Sequence, residues 1–194
     1  MEKYIEYIKN THLNNYISYN SKVILSFFFI CLIAFILNII TKGKSNKLLF
    51  SNYRSSPLNP LTYIRLFTHI IGHSNWQHLK RNFLYILLIG PLVEEKYGSI
   101  NLLIMILLTA FITGLINIII GKYKILGSSD IVYMLIILSS IVNINKGTIP
   151  LTLILIIIFY IIDEILQINK SDNVSHLSHL IGAICGCIYG FYIL

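Results

Sequence analysis

Long apolar runs separated by short polar connections dominate the chain, and their lengths set the first expectation. A membrane-crossing helix needs about 20 mostly apolar residues. Segments 22–41, 99–120, 129–143, 150–167 and 174–194 meet or approach that length, and a further one, 76–93, is apolar only in its second half. Six spans are therefore expected in one all-α, polytopic membrane bundle over 22–194. Residues 1–21 form a polar segment in which Tyr4, Ile5, Ile8, Tyr16 and Ile17 outline a short interfacial helix. No small-residue cleavage site follows 22–41, so this span is expected to be retained rather than removed as a signal peptide. The long connection, 42–75, carries Pro57, Pro60 and Gly72, yet Leu48, Leu49, Phe50, Ile64, Leu66 and Phe67 make it too apolar for a plain linker. It is expected to lie partly in the membrane interface. The other connections, near 94–98, 121–128, 144–149 and 168–173, are short.

Composition agrees with this pattern. Of 194 residues, 56% are hydrophobic and 12% charged, against about 25% charged in ordinary soluble domains. The net charge of +7 fits anionic lipid headgroups; without a basic helix or an aromatic-interleaved basic patch, a nucleic-acid partner is not expected. Cys31, Cys185 and Cys187 all fall inside apolar runs and read as small buried hydrophobes rather than metal ligands or disulfides.

Polar groups cluster where three of the spans open, and ionisable residues inside spans usually mark function. His78, Lys80, Arg81 and Asn82 open the second span, Ser128, Ser129 and Asp130 the fourth, and His176 and His179 the sixth. With short connections these three spans run in one direction, so their N-terminal ends share a membrane face. His78 and Asn82, at i and i+4, lie on one side of their helix. Such a set can supply an acyl-transfer site: a serine nucleophile, a histidine base, and N–H donors for a developing oxyanion. Gly182, Gly186 and Gly190 form a small-residue line below His179 that invites close helix packing. The plainer alternatives are that Ser129 merely caps its helix, with Asp130 favourable in the first turn, and that His179 is a satisfied core histidine. His69 and His73, also at i and i+4, lack the further ligands of a metal site and are expected to be structural. The absence of HExxH argues against a metalloprotease.

The ordered set of motifs resembles the rhomboid family of intramembrane serine proteases. HLKRN (78–82) is similar to the family's HxxxN element, GPLVEEKYGS (90–99) to its GxxxExxxG element, GSSD (127–130) to its GxSG nucleophile motif and SHLSHLIGAICG (175–186) to its sixth-helix histidine motif. IRLFTHIIGH (64–73) resembles the first-loop region, with Arg65 in place and Ile64 where a tryptophan is frequent. The resemblance implies a six-helix bundle cleaving transmembrane segments of other proteins within the lipid bilayer through a Ser–His dyad. Ser129 would be nucleophile and His179 base, with His78 and Asn82 at the oxyanion, Tyr133 packing on the base, and Gly127 and Gly182 in supporting motif positions. His176 falls outside the dyad, as a lining or interfacial residue. Arg65 would anchor the long loop and Glu94 would fix the loop after the second helix. No cofactor or metal is implied.

Two departures follow. Asp130 stands where the motif has glycine. There it threatens to wedge the fourth and sixth helices apart, and a charge about 6 Å from the oxyanion would cost about 3 kcal/mol at an effective dielectric near 20. Burial could keep it protonated, or it could turn towards His179. A catalytically inactive rhomboid-like protein that binds transmembrane clients is therefore the first alternative, and a proton-relay transporter the second. Lys42, Lys44, Lys47, Arg54, Arg65, Lys122, Lys124 and Lys170 lie on the side the family places outside, against Lys3, Lys9, Lys22, Lys96 and Lys146 on the other. The positive-inside rule thus favours the reverse of the family orientation. Abundant Ile, Asn and Lys point to an AT-rich genome, and a bacterial plasma membrane is the expected location.

Overall fold

The computed structural model describes residues 18–121, 123–142, 148–167 and 175–192. Most of the interfacial segment expected at 1–21, most of the connection expected at 144–149 and all of that at 168–173 lie outside the described residues. The helices are α1 (Lys22–Ile40), α2 (Lys44–Leu48), α3 (Pro60–Thr68), α4 (Trp76–Tyr97), α5 (Ser99–Ile120) and α6 (Ser129–Ile141). Next come α7 (Leu151–Ile156), a π-helical turn (Ile157–Ile161) that continues into α8 (Ile162–Gln167), and α9 (His176–Tyr192). Each apolar segment predicted above thus contains a helix. Among the described residues, α1 and α5 are long and apolar enough to cross a membrane by themselves; α6, with 13 residues, is shorter. Extended pairing among the described residues is limited to an isolated bridge between Asn52 and Ile125.

Two of the helices begin at a side-chain cap. Asn59 accepts from the Leu61 N–H before Pro60, and Asn75 accepts from the His78 N–H at the start of α4, satisfying donors a helix start leaves unpaired. At the other end of α4, Glu94 accepts from the Ser21 hydroxyl, from the N–H groups of Val23 (3.0 Å) and Ile24 (3.2 Å), and from Ser99 Oγ (2.6 Å). One carboxylate therefore caps α1 and holds the α4–α5 corner. Arg65, 3% exposed, donates to the Leu48 carbonyl (2.8 Å) and lies 4.5 Å above the Tyr53 ring, which anchors the long loop.

The core is formed by Ile24, Leu79, Ile86, Leu102, Met105, Ile131, Met134 and Leu138, all essentially inaccessible. Large apolar residues such as Ile33 and Ile40 of α1, Leu88 of α4 and Phe159 in the π-helical turn stay exposed. An apolar exterior of this extent needs a lipid or protein covering.

Helix α9 packs along α6 through the predicted glycine line. A Cβ built on Gly182 would collide with the backbone of Asp130, and one on Gly186 with the Met134 carbonyl and Ile137. The feared wedge does not form, because α9 meets the backbone of Asp130 while the carboxyl group points elsewhere. Gly182→Ala is expected to cost more than the usual 1–3 kcal/mol of about one excess methyl group, since backbone rather than a rotatable side chain must yield. An unchanged unfolding temperature in detergent would show that this seam is looser than described.

Candidate active site

The long loop positions the turn before α6. Asn52 and Ile125 exchange both backbone hydrogen bonds (2.9 and 3.0 Å), and the Gly127 N–H donates to the His69 carbonyl at 2.9 Å. Gly127 has φ +108°, a conformation disfavoured for other residues, and a Cβ there would press on the His78 ring at 2.5 Å. The turn thereby brings the GSSD segment against the start of α4.

Its two serines then separate. Ser128 is wholly buried and its Oγ lies 3.4 Å from His73 Nε2. Ser129 is half-buried and borders a cavity of about 860 Å³ that is also lined by Gly127, His78, Asn82, Tyr133 and His179. Six of the seven site residues anticipated from sequence thus meet around one space. The seventh, Gly182, sits at the contact between α6 and α9.

His73 ties this site together, a role that its spacing from His69 does not reveal. Its Nδ1 lies 3.1 Å from the Ile71 carbonyl, which can only accept, so Nδ1 carries the proton and Nε2 accepts. Asn82 Nδ2 donates to that nitrogen at 3.2 Å. Burial first, then the neighbouring His78, lower its pKa from 6.5 to about 3, opposed by its bond to Ile71. The folded state therefore binds this proton less readily than the unfolded chain. Its contribution to stability is whole above about pH 6.5 and falls as the pH drops towards 3. The unfolding temperature is expected to fall between pH 7 and pH 4.5, and His73→Gln to flatten that slope; equal slopes would assign the acid sensitivity elsewhere.

On the opposite wall the Tyr133 ring stacks on His179, with centroids 4.4 Å apart and planes 10° from parallel. The Tyr133 hydroxyl donates to Glu164 Oε1 at 2.5 Å. The other oxygen of Glu164 stands 2.6 Å from His176 Nδ1 and 2.9 Å from His179 Nδ1. The His179 contact runs out of line with the ring N–H, leaving this buried nitrogen without an aligned hydrogen-bond partner. His176 is 5% exposed and meets Glu164 of α8 rather than bordering the cavity, so neither the lining nor the exposed interfacial position expected for it is met.

Glu164 itself escaped the sequence reading. The signal was present, since a carboxylate inside an apolar run is costly. Ile162, Ile165 and Leu166 around it are exposed while Glu164 is 8% exposed. It follows the π-helical turn, a feature that alters helix register and recurs at functional sites.

Asp130, 1% exposed, faces neither His179 nor the seam. One carboxyl oxygen accepts from the Ile131 N–H (2.9 Å), and the other lies 3.5 Å from His69 Nε2. His69 Nδ1 lies 3.1 Å from the Arg65 carbonyl and so carries a proton. At that distance His69 Nε2 and the second carboxyl oxygen form no hydrogen bond, so the two buried atoms face each other without a bonded partner.

A family model described as Rhomboid domain matches residues 60–194, and the chain belongs to this family. It is also similar to the Rhomboid-like protein 11, chloroplastic, of Arabidopsis thaliana, at 24% identity over 132 residues, covering 60% of this chain and 47% of that protein. The chain thus spans about half the length of this curated relative. Membership and the apolar helices make this a membrane protein; a relative described as chloroplastic lends no support to the bacterial location expected above.

Proposed function

We propose that this chain is an intramembrane serine protease that hydrolyses peptide bonds in or near transmembrane segments of other membrane proteins. Its six apolar segments cross the bilayer as a bundle. The observation that carries the reading is the convergence of Ser129, His179, His78 and Asn82 on one cavity, with Tyr133 stacked on His179. Nothing in that set requires a cofactor.

In this mechanism His179 takes the Ser129 proton as the hydroxyl attacks the scissile carbonyl. The oxyanion that forms is met by N–H groups of His78 and Asn82. Asn82 has an N–H to offer, because only one of its two is engaged by His73. His179 then returns the proton to the leaving amine, and water hydrolyses the acyl-enzyme by the same steps in reverse roles. Glu164 beside His179 Nδ1 favours the imidazolium that forms during each proton transfer.

The test is reaction of the purified, membrane-reconstituted protein with a fluorophosphonate probe, alongside cleavage of a transmembrane-segment substrate. Labelling that is lost in Ser129→Ala supports the protease. Capture of the substrate without labelling or cleavage would instead establish a client-binding protein, the reading that Asp130 motivates.

A further inference from the structure

Among the described residues one group of metal-ligating side chains stands together: Glu164, His176 and His179, all buried, with donor atoms within 4.8 Å of one another. Two imidazoles and one carboxylate make a ligand set that zinc accepts, leaving a fourth position open. Donors about 2.0–2.1 Å from a tetrahedral zinc stand roughly 3.3 Å apart. Shifts on the order of an ångström would therefore convert the present arrangement into a coordination sphere.

Three further observations favour a ligand here. The buried His179 Nδ1 has no aligned hydrogen-bond partner, so a metal would displace no good bond there. Tyr133 already holds the second oxygen of Glu164, the kind of outer support that orients a ligating carboxylate. Finally, His179 borders the cavity, which offers an entry path and a water for the fourth position.

We propose that Glu164, His176 and His179 form an inhibitory site for zinc or a similar divalent transition metal. Imidazole donors favour such ions over calcium or magnesium. The consequence rests on the role proposed for His179. A metal bound at Nδ1 leaves the remaining ring proton on Nε2, the nitrogen that would have to accept from Ser129. The ring then presents a donor where catalysis needs a base. Each ring must present an unprotonated Nδ1 and Glu164 a carboxylate to hold the ion, so affinity falls in acid.

Two measurements on the full chain test this. The first is titration of the protein with Co²⁺, read by the visible absorption of tetrahedrally coordinated cobalt. A band is expected in wild type, absent in His176→Gln, and shifted to about 10–100-fold higher Co²⁺ in Tyr133→Phe. No band in wild type, or an undiminished band in His176→Gln, overturns the site. The second is fluorophosphonate labelling in EDTA and in Zn²⁺. Wild-type labelling is expected to vanish in Zn²⁺ and return in EDTA, while within His176→Gln the two conditions give equal labelling. Labelling of wild type that ignores Zn²⁺ overturns the inhibition. A cobalt band in a protein that labels under neither condition would uphold the metal site and remove the protease instead.

Discussion

Cleavage by Ser129→Ala and by His179→Ala is expected to fall by roughly 10⁴–10⁶-fold, and the double variant to be scarcely worse than either. In a nucleophile–base pair each group is idle without the other, so their losses do not add. The informative control is the adjacent serine. Ser128→Ala removes a hydroxyl that is wholly buried against His73 and absent from the cavity wall. It is expected to retain labelling within about tenfold of wild type, with some loss of stability because a buried hydrogen-bonded group is removed. The same result in both serine variants would mean that the motif positions neither hydroxyl for attack. Probe labelling under denaturing and native conditions separates an activated serine from an accidental one.

Much of this site is legible in the sequence because its parts are set by chain direction and helix period. Short connections set the direction of α4, α6 and α9, and His78, Asn82, Ser129 and His179 at their starts meet around one cavity. The glycines at 182, 186 and 190 then dictate which helix α9 touches. What stays hidden depends on contacts that no period encodes. Glu164 turns inward only after a π-helical turn shifts the register of its helix, and Ile157–Ile161 carry no local signal for that turn. His69 and His73 look like a pair at i and i+4, yet His73 lies past the end of α3 and the two rings serve different neighbours, Asp130 and Asn82. Likewise Asp130 reads as an obstruction because the family position is glycine. Its effect depends on where the carboxyl group points, which is a matter of tertiary placement.

That placement leads to the second large effect. His69→Leu is expected to destabilise the protein by about 3–5 kcal/mol, since removing one member of a buried ionisable pair strands the other. The 3.5 Å contact with His69 is what the second Asp130 oxygen faces, and at 1% exposure water does not replace it. Asp130→Gly is expected to be milder, because His69 keeps its hydrogen bond to the Arg65 carbonyl. The double variant His69→Leu/Asp130→Gly should be more stable than His69→Leu alone, with a coupling of about 1–3 kcal/mol by the double-mutant cycle. Unfolding in detergent at neutral pH measures all four proteins, and strict additivity would dismiss the pair. The cycle also bears on catalysis. The Asp130 carboxyl group faces His69 and the Ile131 N–H rather than His179, so Asp130→Gly is expected to label within about tenfold of wild type. Leaving the Asp130 carboxyl group without His69 beside it, as in His69→Leu, should instead slow labelling by about 100-fold, the equivalent of about 2.7 kcal/mol of oxyanion stabilisation. An Asp130→Gly protein that labels where wild type stays dark would mean that the aspartate silences the serine despite His69. The chain would then be a client-binding rhomboid rather than a protease.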